Sequence, residues 1–297
     1  MIPDFLLEKL NNDYSHDIVL DITNSYIKER KTTLRVNTIK SCMEEVKEIL
    51  TKKGFKYSEV EWSNFSLIIE NKTSEDIKTI DAYKTGKIYL QNLSSQLPPI
   101  FVEPKTSELI LDMTAAPGGK TTELAALSNN ESLITAIEKN KKRFERLKYN
   151  IDHLDAKKIS VLNVDARNLD EYFMFDKILL DAPCSGSGTL NISTMDNFTE
   201  ELIERSIMTQ KNLIREAIKH LKLNGELVYS TCSILKEENE NIIIELLNEN
   251  ESLELIPLDI TEYNSIPKLP VKLEGTLCVK PNELYEGFFV AKIRKKN

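Results

Sequence analysis

Sulfur and imidazole are scarce in this chain: four cysteines and three histidines stand among 297 residues. No two cysteines are spaced as C-x-x-C, and none of His16, His153 and His220 stands at metal-ligand spacing from a cysteine. A disulfide framework and a zinc site are therefore not expected, nor is any other metal. Long apolar runs are missing too. Nothing approaches the roughly 18 residues that a membrane span needs, so no membrane partner is expected. The start, M-I-P-D-F-L-L-E-K-L, lacks a basic segment leading into an apolar one. No secretory leader is expected on that ground, and the cytoplasm is the default compartment. Positive net charge is also absent, since 39 Lys and Arg oppose 47 Asp and Glu for a balance of −8. At first sight that weighs against nucleic acid, whose phosphates need cations. Repeats and low-complexity tracts are not found.

The composition that remains, 41% hydrophobic and 29% charged, is that of an ordinary soluble globular protein. The length suits one large domain and a small one. The cations are clustered. Residues 28–56 hold nine basic residues against four acidic, and 139–148 hold six against one. The segment A-K-I-R-K-K-N is basic as well. Charge alone reads these as three solvated faces, although distribution matters more than the sum for a nucleic-acid partner.

From about residue 98 onward, short apolar runs alternate with helical patterns, the signature of a mostly parallel α/β sheet. Strands are expected at 109–113, 133–138, 159–165, 177–181 and 226–230, with helices at 120–128, 140–154 and 199–223. A further helix is expected over K-E-E-N-E-N-I-I-I-E-L-L-N-E, and E-G-F-F-V-A-K-I-R-K reads as a last strand. Before residue 98 the pattern is that of a small α+β module with a leading helix. In it, Ser41 and Glu44 read as a capping box for a helix bearing Met43, Val46, Ile49 and Leu50. The Q-L-P-P segment at 96–99 reads as the junction, so domains are expected at 1–97 and 98–297.

Ligands of an open parallel sheet sit beyond the carboxyl ends of its strands. The first strand runs into D-M-T-A-A-P-G-G-K-T-T, where Gly118 and Gly119 permit a sharp turn and a close backbone approach. Glu138 ends the second strand, twenty residues past Gly118, where an acid can bond the hydroxyls of a ribose. Asp165 and Asp181 end the third and fourth strands. One such acid is commonly a turn residue, but four successive strand-end acids are harder to dismiss. The rival is a phosphate-binding P-loop ending in G-G-K-T-T. That motif needs a glycine where Thr114 stands, and Pro117 has no N–H to offer a phosphate. An adenosine without phosphate fits better, and S-adenosylmethionine is the expected ligand.

Two of the four cysteines, Cys184 in D-A-P-C-S-G-S-G and Cys232 in Y-S-T-C-S, close strands on that same ligand side. Cysteine is most often a small buried hydrophobe, the reading that suits Cys42 and Cys278. At the sheet's ligand edge a thiolate could instead add to carbon 6 of a pyrimidine and make carbon 5 nucleophilic toward a methyl sulfonium.

The segments L-D-M-T-A-A-P-G-G-K-T-T, L-L-D-A-P-C-S-G-S-G-T and Y-S-T-C-S-I-L-K-E-E-N-E strongly resemble the RNA cytosine-5 methyltransferases of the RsmB/RsmF type. L-R-V-N-T, Q-N-L-S-S-Q-L-P and E-G-F-F-V-A extend the likeness over nearly the whole chain from about residue 34. The resemblance implies a Rossmann-like S-adenosylmethionine-dependent methyltransferase fold with an antiparallel last strand. It also implies a small N-terminal domain related to RNA-recognition folds. It makes Cys232 the attacking thiolate and Cys184 the residue that assists release, with Asp181 and Lys120 bordering the target base. The donor's methionine portion falls to Thr114, Ala115, Ala116, Pro117, Gly118, Gly119 and Lys120, its ribose to Glu138 and Arg143, and its adenine to Asp165; Asp181 borders the donor as well. Thr114 stands where the family often has Cys, and N-I-S-T-M-D follows Leu190 where the family usually has Arg and Pro. The expected partner is RNA, ribosomal first and transfer RNA second, with the protein acting as a monomer. A P-loop ATPase and a non-catalytic RNA-binding module are the remoter alternatives.

Overall fold

The computed structural model describes residues 2–296. Two helices open the chain, α1 (Asp4–Asp13) and α2 (His16–Ser25), where one leading helix was expected. They pack on the large sheet described below: Leu6, Leu10, Val19 and Ile22 share a core with Ile234, Leu235 and Phe289. The Tyr14 hydroxyl donates to the Ile234 carbonyl at 2.6 Å, and the Tyr26 hydroxyl to that of Ser187 at 2.8 Å. A small antiparallel sheet follows from β1 (Thr32–Val36), β2 (Tyr57–Val60), β3 (Ser63–Ile69) and β4 (Ile88–Leu90), in the order β2-β3-β1-β4. One face is covered by α3 (Met43–Lys52), whose Val46 and Leu50 join Leu34, Val36, Leu67 and Ile88 in a second core. The short helices α4 (Ser74–Thr79) and α5 (Asp81–Lys84) connect β3 to β4.

The expected capping box of α3 is not formed. Cys42 is the N-cap and makes no side-chain cap, because the Ser41 hydroxyl turns to the Glu45 carboxylate at 2.7 Å. The Q-L-P-P segment lies inside a helix, α6 (Leu93–Val102), with both prolines buried. Proline removes the donor that would reach the carbonyl four residues back. For Pro99 that carbonyl belongs to Ser95, and the Gln91 amide donates to it instead at 3.2 Å.

The large sheet contains β5 (Leu109–Asp112), β6 (Leu133–Ile137), β7 (Ile159–Leu162), β8 (Phe175–Asp181), β9 (Leu221–Thr231), β10 (Leu253–Ile256), β11 (Leu277–Val279) and β12 (Phe288–Lys295). Its order is β10-β12-β9-β8-β5-β6-β7, with β11 also on β12. Strands β5 to β9 run parallel, and β12 is antiparallel to β9. The expected fold class is thus found: a mostly parallel Rossmann-like sheet with an antiparallel last strand, beside a small N-terminal sheet. Helices α7 (Gly119–Leu127) and α8 (Lys141–His153) pack beside α6, while α9 (Glu200–Lys219) and α10 (Glu240–Glu249) pack against each other. The periodicity of α9 explains its orientation, since Ile203, Ser206, Gln210, Leu213, Ile214 and Ala217 are its buried residues. No helix among the described residues is long and apolar enough to cross a membrane.

Three expected boundaries shift for local reasons. Helix α9 stops at Lys219 because the His220 carbonyl accepts from the Phe175 amide at 2.9 Å, which draws the chain into β9 at Leu221. Strand β7 ends at Leu162, and Asn163 turns its amide onto the Glu138 carbonyl at 2.7 Å. Helix α10 begins at Glu240 instead of 236, since Glu238 and Asn239 are drawn inward to polar partners.

Gly188 and Gly287 cross backbone against backbone beside β9. The Gly188 N–H donates to the Cys232 carbonyl at 3.0 Å, and the Gly287 N–H to the Gly188 carbonyl at 2.8 Å. A Cβ on Gly188 would stand 2.1 Å from the Gly287 carbonyl oxygen, which no rotamer can relieve. Gly188→Ala is expected to destabilise the protein by about 2 to 3 kcal/mol, read as a lower midpoint in urea unfolding.

Candidate active site

The loop after β5 carries Thr114 to Lys120 over the top of the sheet. It is tied down by the Met113 N–H to the Leu179 carbonyl at 3.0 Å and the Ala115 N–H to the Ile137 carbonyl at 2.9 Å. Gly118, with φ +107°, is the N-cap of α7, a conformation that side chains rarely adopt. The close approaches of this loop are to protein. A Cβ on Gly118 would lie 3.0 Å from the Leu147 Cδ1 of α8, and one on Gly119 3.0 Å from the Tyr89 Cε1 of β4. At either position an added side chain would have to push its neighbour aside.

Beside the loop, Glu138 is buried and accepts from the Asn140 N–H at 2.7 Å. Its second oxygen lies 3.4 Å from the Arg143 guanidinium, which also donates to the Ala116 carbonyl at 2.8 Å. Arg143 thereby joins the second strand end to the loop. Asp165 follows β7 and is gripped by Arg167 through two bonds, at 2.9 and 2.6 Å. Those bonds hold its carboxyl down at about 2, against an ordinary 3.8.

At the end of β8, Asp181 pairs with the Lys120 ammonium at 2.7 Å and accepts from the Ser230 hydroxyl at 2.8 Å. Burial pulls the Lys120 ammonium down, but the charge and hydrogen bond of Asp181, with Cys232 and Asp112 nearby, raise it overall. The Thr114 hydroxyl donates to the Asp181 carbonyl at 2.8 Å. Two residues beyond this acid's neighbour Ala182, Cys184 brings its sulfur within 2.8 Å of the Cys232 sulfur, and both thiols are free. The separation is well beyond the roughly 2.05 Å of a disulfide bond. The hydrogen bond with Cys232, then burial, push the Cys184 thiol well above its ordinary value.

Both cysteine loops converge on a residue that was not singled out in the sequence. Glu238, fully buried, accepts from the Ser185 N–H at 2.8 Å, the Ser185 hydroxyl at 2.5 Å, the Ser233 hydroxyl at 2.5 Å and the Gln210 amide at 3.0 Å. Reading 236–249 as one helix put Glu238 on an ordinary helical turn. The available signal was the serine that follows each cysteine: two hydroxyls buried at strand ends need an acceptor. Arg35 of β1 was also missed. It is buried and reaches the Gly119 carbonyl at 3.3 Å, the Thr122 hydroxyl at 3.1 Å and the Gln91 side chain at 3.0 Å.

Two cavities meet along Thr114, Ala116 and Asp181. One, of about 230 Å³, is walled by Glu138, Arg143, Asp165, Cys184 and Cys232, with Ile137, Val164, Ala166 and Leu213 as apolar lining. The other, of about 260 Å³, takes Ala115, Pro117, Gly119 and Lys120 together with Tyr89, Asn92 and Glu286 from outside the loop. Gly118 lines neither and faces α8. The apolar slot beside a buried acid suits an adenosine. A phosphate would find Pro117 without an N–H, and Arg143 and Arg167 already engaged by Glu138 and Asp165.

A family profile described as 16S rRNA methyltransferase RsmB/F matches residues 99–294, and one described as the ferredoxin-like domain of RsmF/B-like methyltransferases matches 2–75. The chain is 35% identical to the ribosomal RNA small subunit methyltransferase F of Vibrio campbellii, over 99% of this chain and 63% of that protein. It is 34% identical to the protein of that name from Shewanella piezotolerans, over 95% and 61%. It thus spans about three fifths of the length of these curated relatives. A crystal structure of a methyltransferase homolog from Pyrococcus horikoshii superposes with a TM-score of 0.83 at 30% identity, covering 99% of this chain and all of that one.

Asp112, at the end of β5, is buried and accepts from the Thr121 hydroxyl at 2.7 Å. Burial pushes its carboxyl up to about 6 from 3.8, although the Thr121 bond opposes the shift. The native state therefore keeps a proton that the unfolded chain releases. That contribution is intact below about pH 4 and is lost as pH rises through about 6. Asp112→Asn is expected to flatten the decline in stability over this window, measured by urea unfolding at successive pH values.

Proposed function

The chain belongs to the 16S rRNA methyltransferase RsmB/F family, and from that premise we propose that it methylates carbon 5 of a cytosine in ribosomal RNA with S-adenosylmethionine as donor. The observation that carries the reading is the pair of free thiols 2.8 Å apart, on the wall of a cavity shared with Asp181. When bound, S-adenosylmethionine supplies an electrophilic methyl group on a sulfonium. Glu138 would hold its ribose, Asp165 and the apolar slot its adenine, and the Thr114–Lys120 loop its methionine portion.

The chain's own groups then have distinct tasks. Cytosine carbon 5 is too electron-poor to take a methyl group unaided. The Cys232 thiolate adds to carbon 6, and the electron pair so released makes carbon 5 the nucleophile. Cys184 is held protonated, so its S–H can donate to the Cys232 sulfur. Asp181, locked by Lys120 and Ser230, borders the ring and steadies its N3 edge. Once Cys232 is bonded to the ring, the partner that chiefly keeps the proton on Cys184 is gone. Cys184 can then give that proton to solvent and, as a thiolate, take the one on carbon 5; the pair left behind re-forms the carbon 5–carbon 6 double bond as the carbon 6–sulfur bond breaks and Cys232 leaves as a thiolate. The base must leave its stack to reach these sulfurs, so a loop or a flipped nucleotide is the form of substrate expected.

Cys232→Ala is expected to reduce methyl transfer from labelled donor to background, and full activity in that variant would refute the assignment of the nucleophile. Cys184→Ala is expected to accumulate a protein–RNA adduct that survives denaturation. Bisulfite sequencing of total RNA from cells with and without the gene identifies the substrate. A cytosine protected in transfer RNA and none in ribosomal RNA would overturn the choice of substrate while leaving the chemistry.

A further inference from the structure

The outer face of α8 has a charge pattern found on neither α9 nor α10. On α9 the cations are neutralised: Arg205 by Glu201, Lys211 by Glu245, Arg215 by Glu245 and Glu249, and Lys219 by Glu216. Of the lysines and arginines on α8, only Arg143 pairs with an acid among the described residues, and that acid is Glu138 of the site. Lys142 and Arg146 are exposed, and Tyr149 is 63% exposed. With His153 these residues recur at intervals of four, three and four, so they form one stripe about 16 Å long at 1.5 Å per residue. The Tyr149 and His153 rings stack at 5.4 Å and 10°. A flat aromatic face is thus held open at the end of a row of free cations.

Both ends of the stripe meet other parts of the molecule. At the far end the small domain is bolted to α8: the Asn37 amide donates to the Leu154 carbonyl at 2.8 Å, and the His153 Nε2 lies 3.1 Å from the Tyr83 carbonyl oxygen. Lys40 reaches the His153 carbonyl at 3.1 Å, and Lys84 is exposed two residues before the Gly86 turn that abuts it. At the near end, Arg143 lines the first cavity. Tyr89 lines the second, and its phenol, which burial pushes up, feels the opposing charges of Arg35 and Arg146.

We propose that this stripe, Lys142–Arg146–Tyr149 with Lys40 and Lys84 beside its far end, is a track for single-stranded RNA leading along the domain junction to the two cavities. The proposal rests on the RNA-methylation reading and adds the surface that holds the strand outside the pocket. The cations contact successive phosphates, while Tyr149, pre-stacked on His153, offers its open face to a base. The net charge of −8 then has a physical use, since RNA is repelled from the acidic remainder and favoured where cations lack partners.

The test is fluorescence anisotropy with a labelled, unstructured RNA of roughly 15 nucleotides containing cytosines, and the intact protein without donor. The double variant Lys142→Glu with Arg146→Glu is expected to bind at least about tenfold more weakly. Its log–log salt dependence should be shallower by between about one and two. Tyr149→Ala should lose about tenfold in affinity. Lys219→Glu, which alters an exposed cation on α9, should bind as the unaltered protein does. Calorimetry with S-adenosylmethionine should give unchanged donor affinity in every variant, which separates loss of the track from misfolding. Wild-type affinity in the double variant, an equal loss in Lys219→Glu, or displacement of the RNA by polyglutamate at equal charge would each overturn the proposal. A protein that binds RNA through the stripe yet transfers no label would leave the track standing and remove the methylation reading instead.

Discussion

A single buried carboxylate holds the reactive part of the molecule together. Cys184 and Cys232 are 48 residues apart in the chain and sit on the loops beyond two adjacent parallel strands. Parallel neighbours alone bring such loops close, but they do not set two sulfur atoms side by side. Glu238 does so by accepting from a backbone N–H and a hydroxyl of one loop, a hydroxyl of the other, and the amide of Gln210 on α9. Taking a carboxyl group out of water is costly, and only a full set of donors offsets that. Such a set also fixes geometry, because each donor lost would leave a buried acceptor under-satisfied. Asn239 adds to the clasp, accepting from the Thr231 hydroxyl and donating to the Ser233 carbonyl. The crossing of Gly188 and Gly287 closes the same loops from the other side, so the thiols rest on backbone that has little freedom to move.

A second polar cluster connects the small domain to the Thr114–Lys120 loop. Arg35 projects from β1 into the interior, where Gln91, Thr122, the Gly119 carbonyl and, at 3.8 Å, Glu123 surround it. Burial pushes Glu123 up to about 7 even though Arg35 pulls the other way, and Gln91 donates to it at 2.8 Å. The guanidinium therefore bonds the backbone that turns at Gly118. With Asn37 and Gly86 against the end of α8, the small sheet is joined to the loop and to the helix that the loop packs upon. RNA held on the small domain and the outer face of α8 would thus lie on a frame rigidly connected to the pocket.

The glycines of the loop serve close packing as well as the cavity. Gly118 and Gly119 were read as letting backbone approach a ligand; their missing side chains also make room for Leu147 and Tyr89, and Gly119 lines the second cavity. Cavity-facing surface comes from Thr114 and Ala116 on both cavities and from Ala115, Pro117, Gly119 and Lys120 on the second. The glycines act by allowing close packing of α7 against α8 and β4, and that packing holds the other residues where they face the cavities.

The succession of strands and helices along the chain and the acids at or just past strand ends were legible in the sequence, while the antiparallel last strand came with the family resemblance and the order of strands in the sheet only with the fold. The succession and the acids follow from local pattern: apolar runs of strand length, helical periodicity between them, and acids at the points where those runs stop. Likewise Asp181 and the two cysteines stood out because their chemistry is unusual at such places, whereas Lys120 came with the resemblance. What the linear pattern left hidden were Glu238, Arg35, the helix over Q-L-P-P and the free stripe on α8. Glu238 and Arg35 are side chains that solvent would normally claim, and only the donors and acceptors gathered from distant segments make their burial possible. The helix of α6 depends on Gln91 supplying the donor that Pro99 lacks, and the stripe on whether acids elsewhere fold close enough to neutralise it. Short-range pattern is set by how one residue's backbone and side chain meet water, whereas the satisfaction of a buried charge is decided by which remote groups the completed fold brings within hydrogen-bond reach.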